Sequence, residues 1–292
     1  MENPLVSPDQ VSESQIKALI YLLSDQDERV AQTIHNRLVT AGRPALPYLK
    51  EAGLDDPAMA QKITKVVENI CFSELELSFE SLVRTPESEI NLETGAFLIA
   101  RTAYPELNVQ YYQEIINEMA EDIRSRFGKG LTILEKIRIV NQYLFKEREF
   151  KGNTKDYYDP ENSYLNRVID RRLGVPITLS LLYLLIGQRV NLPLYGVGMP
   201  GHFVVRLEAR QIFIDCFNAG TILTWADCVK FLKESGTGIK HHHLYKSPNH
   251  HILARMLRNL MAIFQKRQEV QKVTHLHRLL ELVEGFGKNS TH

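Results

Sequence analysis

The stretch MPGHFVVRLEARQIFIDCF, residues 199–217, carries two side chains whose types suit proton chemistry: His202 near its start and Asp215 near its end. The segments HFVVRLE and QIFIDCF alternate or run in β-branched and aromatic residues, which predicts two strands joined as a hairpin. A turn centred between Glu208 and Ala209 sets Val205 opposite Ile212 and Phe203 opposite Ile214. It also sets Val204 opposite Phe213 and His202 directly opposite Asp215. Opposed side chains have Cβ atoms ~5 Å apart, within reach of an imidazole–carboxylate hydrogen bond. A carboxylate on one ring nitrogen fixes the tautomer and raises the basicity of the other, as in a base–acid pair. An ordinary polar pair closing a hairpin end fits the same spacing.

Other residues with chemical potential have simpler readings beside the functional one. Thr178 and Ser180 lie in the first turns of an apolar helix, where hydroxyls bond back to carbonyls. Cys216 follows Asp215, so on a regular strand it points to the opposite face. Cys71 and Cys228 read as small buried residues, Cys71 at the end of a helix. His241, His242, His243, His250 and His251 crowd one loop region, with His275 and His277 on the last helix. They lack carboxylates at metal spacing, so no metal or other cofactor is expected. Asn153, Asp159, Asn162 and Ser163 suit Asx turns and the N-cap of SYLNRVIDRR, or amide donors over a cleft near His202. Arg171 and Arg172 complement that helix's C-terminal dipole or meet an acidic partner.

The elements that must position these residues are mostly helical. Residues 12–70 hold four helices, SESQIKALIYLLS, ERVAQTIHNRLVTAG, RPALPYLKEAG and AMAQKITKVVENICF, whose pairing resembles a HEAT-like repeat. A second helical block covers PESEINLETGAFLIARTAYPEL, VQYYQEIINEMAEDIRSRF and LTILEKIRIVNQYLFKE. The aromatic loop FKGNTKDYYDPENSYL precedes SYLNRVIDRRLG and the strongly apolar helix VPITLSLLYLLIGQRV, with Pro176 in its first turn. After the strands, Thr224 and Asp227 form a near capping box for TWADCVKFLKE, and a helical pair ends the chain. Few, consecutive strands among many helices predict an α+β fold with a small antiparallel sheet.

Composition sets the outer limits. The chain has 292 residues, 44% of them hydrophobic, enough for a sizeable core. Thirty-five basic residues balance thirty-five acidic ones, which gives no field to recruit nucleic acid or anionic membrane. The start is polar and acidic, and the longest apolar run, 177–187, is too short to span a bilayer. Three cysteines without CxxC spacing point to a reducing compartment. A soluble, cytoplasmic protein is expected, and no residue pattern sets its oligomeric state.

The phrases LETGAFLIARTAYPEL, YDPENSYLNRVIDRRLGVPITLS and VGMPGHFVVRL together resemble the transglutaminase-like, papain-like fold, and more narrowly its SirB-type bacterial family. The resemblance covers roughly residues 75–285, and the terminal helical pair is similar to that family's tetratricopeptide-like tail. It implies a transglutaminase-like domain over 74–245 and a tetratricopeptide-like tail over 246–292, and the HEAT-like segment over 1–73 lies outside it. It also implies His202 as base and Asp215 as orienting acid. In active relatives a Gly-x-Cys opens the core helix, and the thiolate attacks an acyl group. Here the matching residues are Gly174, Val175 and Pro176, so the nucleophile is missing. The expectation is therefore a non-catalytic binding or regulatory protein with a protein or peptide partner. The alternatives are a hydrolase or transferase that uses His202 and Asp215 without the thiol, and a metal-dependent role for the histidine loop.

Overall fold

The structure is a computed structural model and describes residues 11–53, 57–86, 90–208, 210–236 and 241–289. The chain divides into two compact units, Met1–Ser78 and Phe79–His292.

In the first unit, helices α1 (Glu13–Leu22), α2 (Glu28–Ala41) and α3 (Leu46–Ala52) precede the long helix α4 (Pro57–Val83), within which the division between the units falls. Ser12 and Gln15 cap α1 reciprocally, and Asp27 caps α2. Ile16, Ile20, Ile34, Leu38, Leu49 and Val66 form a common core. The fourth predicted helix ends near residue 72 by sequence, whereas α4 runs on to Val83. The continuation lacks Gly and Pro and keeps helical spacing, with Leu75, Phe79 and Leu82 buried. Cys71 therefore lies inside a helix rather than at its end.

In the second unit, α5 (Leu92–Arg101), α6 (Val109–Ser125) and α7 (Ile133–Asn141) come first, and α7 widens into a π-helical turn over Gln142–Glu147. Next come α8 (Leu165–Arg171) and α9 (Pro176–Arg189), joined by a two-residue parallel contact between β1 (Lys151–Gly152) and β2 (Leu173–Gly174). Four antiparallel strands follow in sequential order: β3 (Leu194–Met199), β4 (His202–Leu207), β5 (Ile212–Asp215) and β6 (Thr221–Thr224). Helices α10 (Trp225–Glu234), α11 (Asn249–Lys266) and α12 (Val270–Asn289) complete the chain. The fold is α+β, as expected. The capping box of Thr224 and Asp227 on α10 is also present.

Helix α9 is apolar on every side and buried accordingly. Ile177, Leu179, Leu181, Leu182, Leu185 and Ile186 are all within the core, and α9 packs beneath β3 and β4. The β3–β4 hairpin turns on Pro200–Gly201, where Gly201 has φ 71°. A left-handed conformation of this kind suits glycine and not a branched residue.

Two details of the hairpin depart from the sequence reading. Val205 pairs with Ile214 and Arg206 with Phe213, a register two residues from the one anticipated. Glu208-Ala209-Arg210-Gln211 offers no tight-turn residue, so the connection takes four positions rather than two. His202 is consequently diagonal to Asp215, not directly opposite. Because the shift is even, both remain on the same face of the sheet. Strand β6, exposed and only four residues long, was not anticipated.

Candidate functional site

His202 opens β4 and Asp215 closes β5. The diagonal distance is within reach of an imidazole, and His202 Nε2 lies 2.9 Å from Asp215 Oδ2. Both side chains are largely withdrawn from solvent, at 10% and 7% exposure. Asp215 is saturated: Oδ2 also accepts from Asn218 Nδ2 at 2.8 Å. Oδ1 accepts from the backbone N–H groups of Phe217 and Asn218 at 3.1 and 3.2 Å. Burial pushes this carboxyl's pKa up, but the bonds from His202 and Asn218 outweigh it and hold it below the ordinary carboxylate range. An ionised Asp215 can only accept, so Nε2 carries the ring proton and Nδ1 of a neutral ring is the free lone pair. Nδ1 has no partner among the described residues and is not sealed from solvent.

The loop after β5 makes this geometry. Gly220 N–H bonds back to the Asp215 carbonyl at 2.8 Å, which curls residues 216–220 so that their amides aim at the carboxylate. Gly220 has φ 74°, and a Cβ there would strike the Phe145 ring and the Asn141 amide. Asn141 Nδ2 donates to the Gly220 carbonyl at 2.7 Å, and Tyr183 donates to Asn141 Oδ1 at 2.9 Å. Helices α7 and α9 thus pin the loop that orients Asp215. No local sequence pattern signalled Asn141 or Tyr183.

His202 and Asp215 border an open cleft of about 330 Å³, whose walls include Met199, Phe217, Leu223, Asp227 and Phe231. The rings of Phe231 and Phe217 contact the imidazole at centroid distances of 5.4 and 6.3 Å.

The remaining candidates lie elsewhere. Pro176 is the first residue of α9 and is buried; it offers neither a nucleophile nor an N–H. Thr178 Oγ1 donates to the Asn162 carbonyl at 2.7 Å and accepts from Val175 N–H, so it serves the helix start. Ser180 Oγ donates to the carbonyl of Phe203 at 3.4 Å and also meets the thiol of Cys216. Cys216 is fully enclosed, and burial drives its thiol far above the ordinary range. Burial likewise pushes Cys228 up to about 12. Neither cysteine borders the cleft.

The loop before α8 corrects another expectation. Neither Asn162 nor Ser163 caps α8, whose N-cap is Tyr164 without a side-chain bond. Asn162 is instead wholly buried: its Nδ2 is spent on the carbonyls of Asp156 and Tyr157, and its Oδ1 accepts from Asn153. Asp159 caps the short turn over Pro160–Asn162 and pairs with Arg171 at 2.7 Å. Tyr157 brings the loop against Phe217, with ring centroids 6.0 Å apart. Among the histidines, His250 and His251 stack at 4.2 Å and His277 faces Glu281 at 3.7 Å. The side chains of His241 and His242 lie outside the described residues. Among the described residues no three potential metal ligands gather, and no helix is long and apolar enough to cross a membrane.

The site thus consists of an aspartate-held imidazole that borders an open cleft, on an antiparallel sheet packed over a buried helix. The family model of the transglutaminase-like superfamily matches residues 110–258. The UPF0162 protein of Xylella fastidiosa strain 9a5c is 33% identical over 214 residues, 70% of this chain and 76% of that protein. Human F-box only protein 21 is 35% identical over 180 residues, 56% of this chain but 28% of that protein. The UPF0162 protein of Vibrio cholerae is 28% identical over 132 residues, 44% of this chain and 49% of that protein. No solved structure matches. The chain belongs to the transglutaminase-like superfamily.

Proposed function

We propose that this chain is a non-catalytic, SirB-type transglutaminase-like protein that binds a protein or peptide ligand at the His202 cleft. One observation carries the reading: the start of α9, where active relatives place their thiol, holds the buried Pro176. The thiols of Cys216 and Cys228 are buried and strongly protonated, so neither substitutes. The similarity to F-box only protein 21 covers 28% of that protein, which supports a module that also functions inside longer chains. Helices α11 and α12 belong to this reading as a tetratricopeptide-like tail, and the protein acts in the cytoplasm. The test is direct. Purified protein incubated with amide, ester and glutaminyl peptides, with and without added amine, gives no product above buffer. Turnover that needs no thiol and disappears in His202→Ala would overturn the proposal.

A second reading rests on the free Nδ1 of His202. An imidazole oriented by an ionised carboxylate and open to a cleft can deprotonate water or a hydroxyl. Such a hydrolase or transferase would lose rate with falling pH as its base takes a proton. It would also be impaired by Asp215→Asn. A flat pH profile removes this alternative.

A further inference from the structure

Among the described residues, most of the polar groups that the cleft leaves available are acceptors. Asp215 contributes none, since both its oxygens are occupied. His202 in its neutral form offers the Nδ1 lone pair, on a side chain 10% exposed. Asn218 spends one of its two amide N–H groups on Asp215, and its Oδ1 accepts from no described residue. Asp227 bonds Thr224 through Oδ2 alone, which leaves Oδ1. The Thr224 hydroxyl and N–H also hold the Asp227 carboxyl below its ordinary pKa, so it carries its charge. Lys230, a turn further along α10, lies 3.9 Å from Glu234. Among the described residues no lysine or arginine lines the cleft.

The rest of the wall is aromatic or aliphatic: Phe217 and Phe231 against the imidazole, with Met199 and Leu223. Acceptors of net negative charge set among aromatic rings favour a cation that carries several N–H groups and an apolar stem. A guanidinium fits better than an ammonium. It is planar and weakly hydrated, stacks on rings, and directs donors to more than one acceptor at once. The same sheet shows this preference internally, where the Arg206 guanidinium lies 5.3–5.7 Å from the ring centroids of Phe213, Trp225 and Tyr195.

We infer that the cleft formed by His202 Nδ1, Asp227 and the rings of Phe217 and Phe231 is a guanidinium site, which takes an arginine side chain presented by a peptide. This rests on the binding function proposed above and names the ligand chemistry for that site.

The probe is a short capped peptide with one central arginine, titrated calorimetrically against the full chain. Matched peptides carry lysine, or citrulline, which keeps the shape but lacks the charge. The arginine peptide is expected to bind, and the citrulline and lysine peptides to bind at least about tenfold more weakly. In Asp227→Asn the carboxamide oxygen still accepts from Thr224, so the cap persists while the charge goes. Affinity should fall roughly tenfold or more there, and several-fold in Phe231→Leu, with thermal unfolding reporting that both variants are folded. Absence of arginine-peptide binding, equal binding of the citrulline or lysine peptide, or unchanged affinity in Asp227→Asn would each overturn the site. Mass spectrometry of the recovered peptides separates the two proposals. An intact peptide that fails to bind sinks only the guanidinium site. A peptide converted in a His202-dependent manner sinks the non-catalytic reading.

Discussion

Asp215 and Cys216 are neighbours in sequence and opposites in environment. Asp215 faces the cleft, saturated by four donors and held ionised. Cys216 faces α9, meets Ser180, and is driven far toward the protonated thiol by burial. The difference arises where β5 ends: Asp215 is its last residue and Cys216 the first of the turn that follows, so the two side chains meet different surroundings. A thiol one position away from an acid–base pair is thereby as remote from it as one in another helix. On the function proposed above, nucleophilic capacity in this frame belongs to the start of α9, where the chain has Pro176.

The strongest way to break this contrast is to move the charge to the wrong face. Cys216→Asp places a carboxylate among core side chains, with the hydroxyls of Ser180 and Tyr183 as its polar neighbours. A buried, unpaired charge of this kind destabilises by about 4–5 kcal/mol, a large share of a typical domain's stability. Little folded protein should be recovered, and what is recovered should unfold at much lower urea. A variant as stable as the parent would mean that position 216 is not sealed against α9.

A smaller effect is expected from emptying the correct face. Asp215→Ala leaves His202 Nε2–H, two backbone N–H groups and the Asn218 amide without their acceptor, a loss of about 3 kcal/mol. The pH dependence has a definite sign. The carboxyl's folded pKa lies below its ordinary value of 3.8, so its stabilisation is complete above that value. It is then lost as pH falls through the lower, folded value. Urea midpoints for the parent and Asp215→Asn, compared from pH 7 down to about pH 2.5, should converge at the acid end. A gap that stays constant to the lowest pH would show that the charge on Asp215 contributes nothing.

The same contrast explains what the sequence made legible. Helix α9 and strands β4 and β5 were readable because apolar content and alternation are local signals. The hairpin register was not, because Glu208 to Gln211 contains no residue that dictates a turn type. His202 and Asp215 were still found together, since a two-residue slip leaves each side chain on its own face. The supports of the site were invisible. Asn141 reaches the Gly220 loop from 79 residues away and Tyr183 reaches Asn141 from 42, and such partners leave no periodic trace. Asn162 had every mark of a helix cap, yet tertiary carbonyls from Asp156 and Tyr157 claimed its amide. The continuation of α4 to Val83 was missed for a simpler reason: leucines among glutamates there were not followed past Cys71.

The gentlest probe addresses what keeps Cys216 inert. Ser180 gives the thiol a hydrogen-bonding neighbour that lowers its pKa slightly against the dominant effect of burial. Its bond to the Phe203 carbonyl is long, at 3.4 Å. Ser180→Ala should therefore cost only about 0.5–1 kcal/mol. The thiol loses the one contact that favoured ionisation, so its pKa can only move further up. Native protein of either version should leave Cys216 unlabelled by iodoacetamide near pH 8, while urea-unfolded controls label fully. Rapid labelling of folded Ser180→Ala would show that the hydroxyl, rather than enclosure by α9, holds the thiol in check. The contrast with Asp215 would then rest on one hydrogen bond instead of on the place where β5 ends.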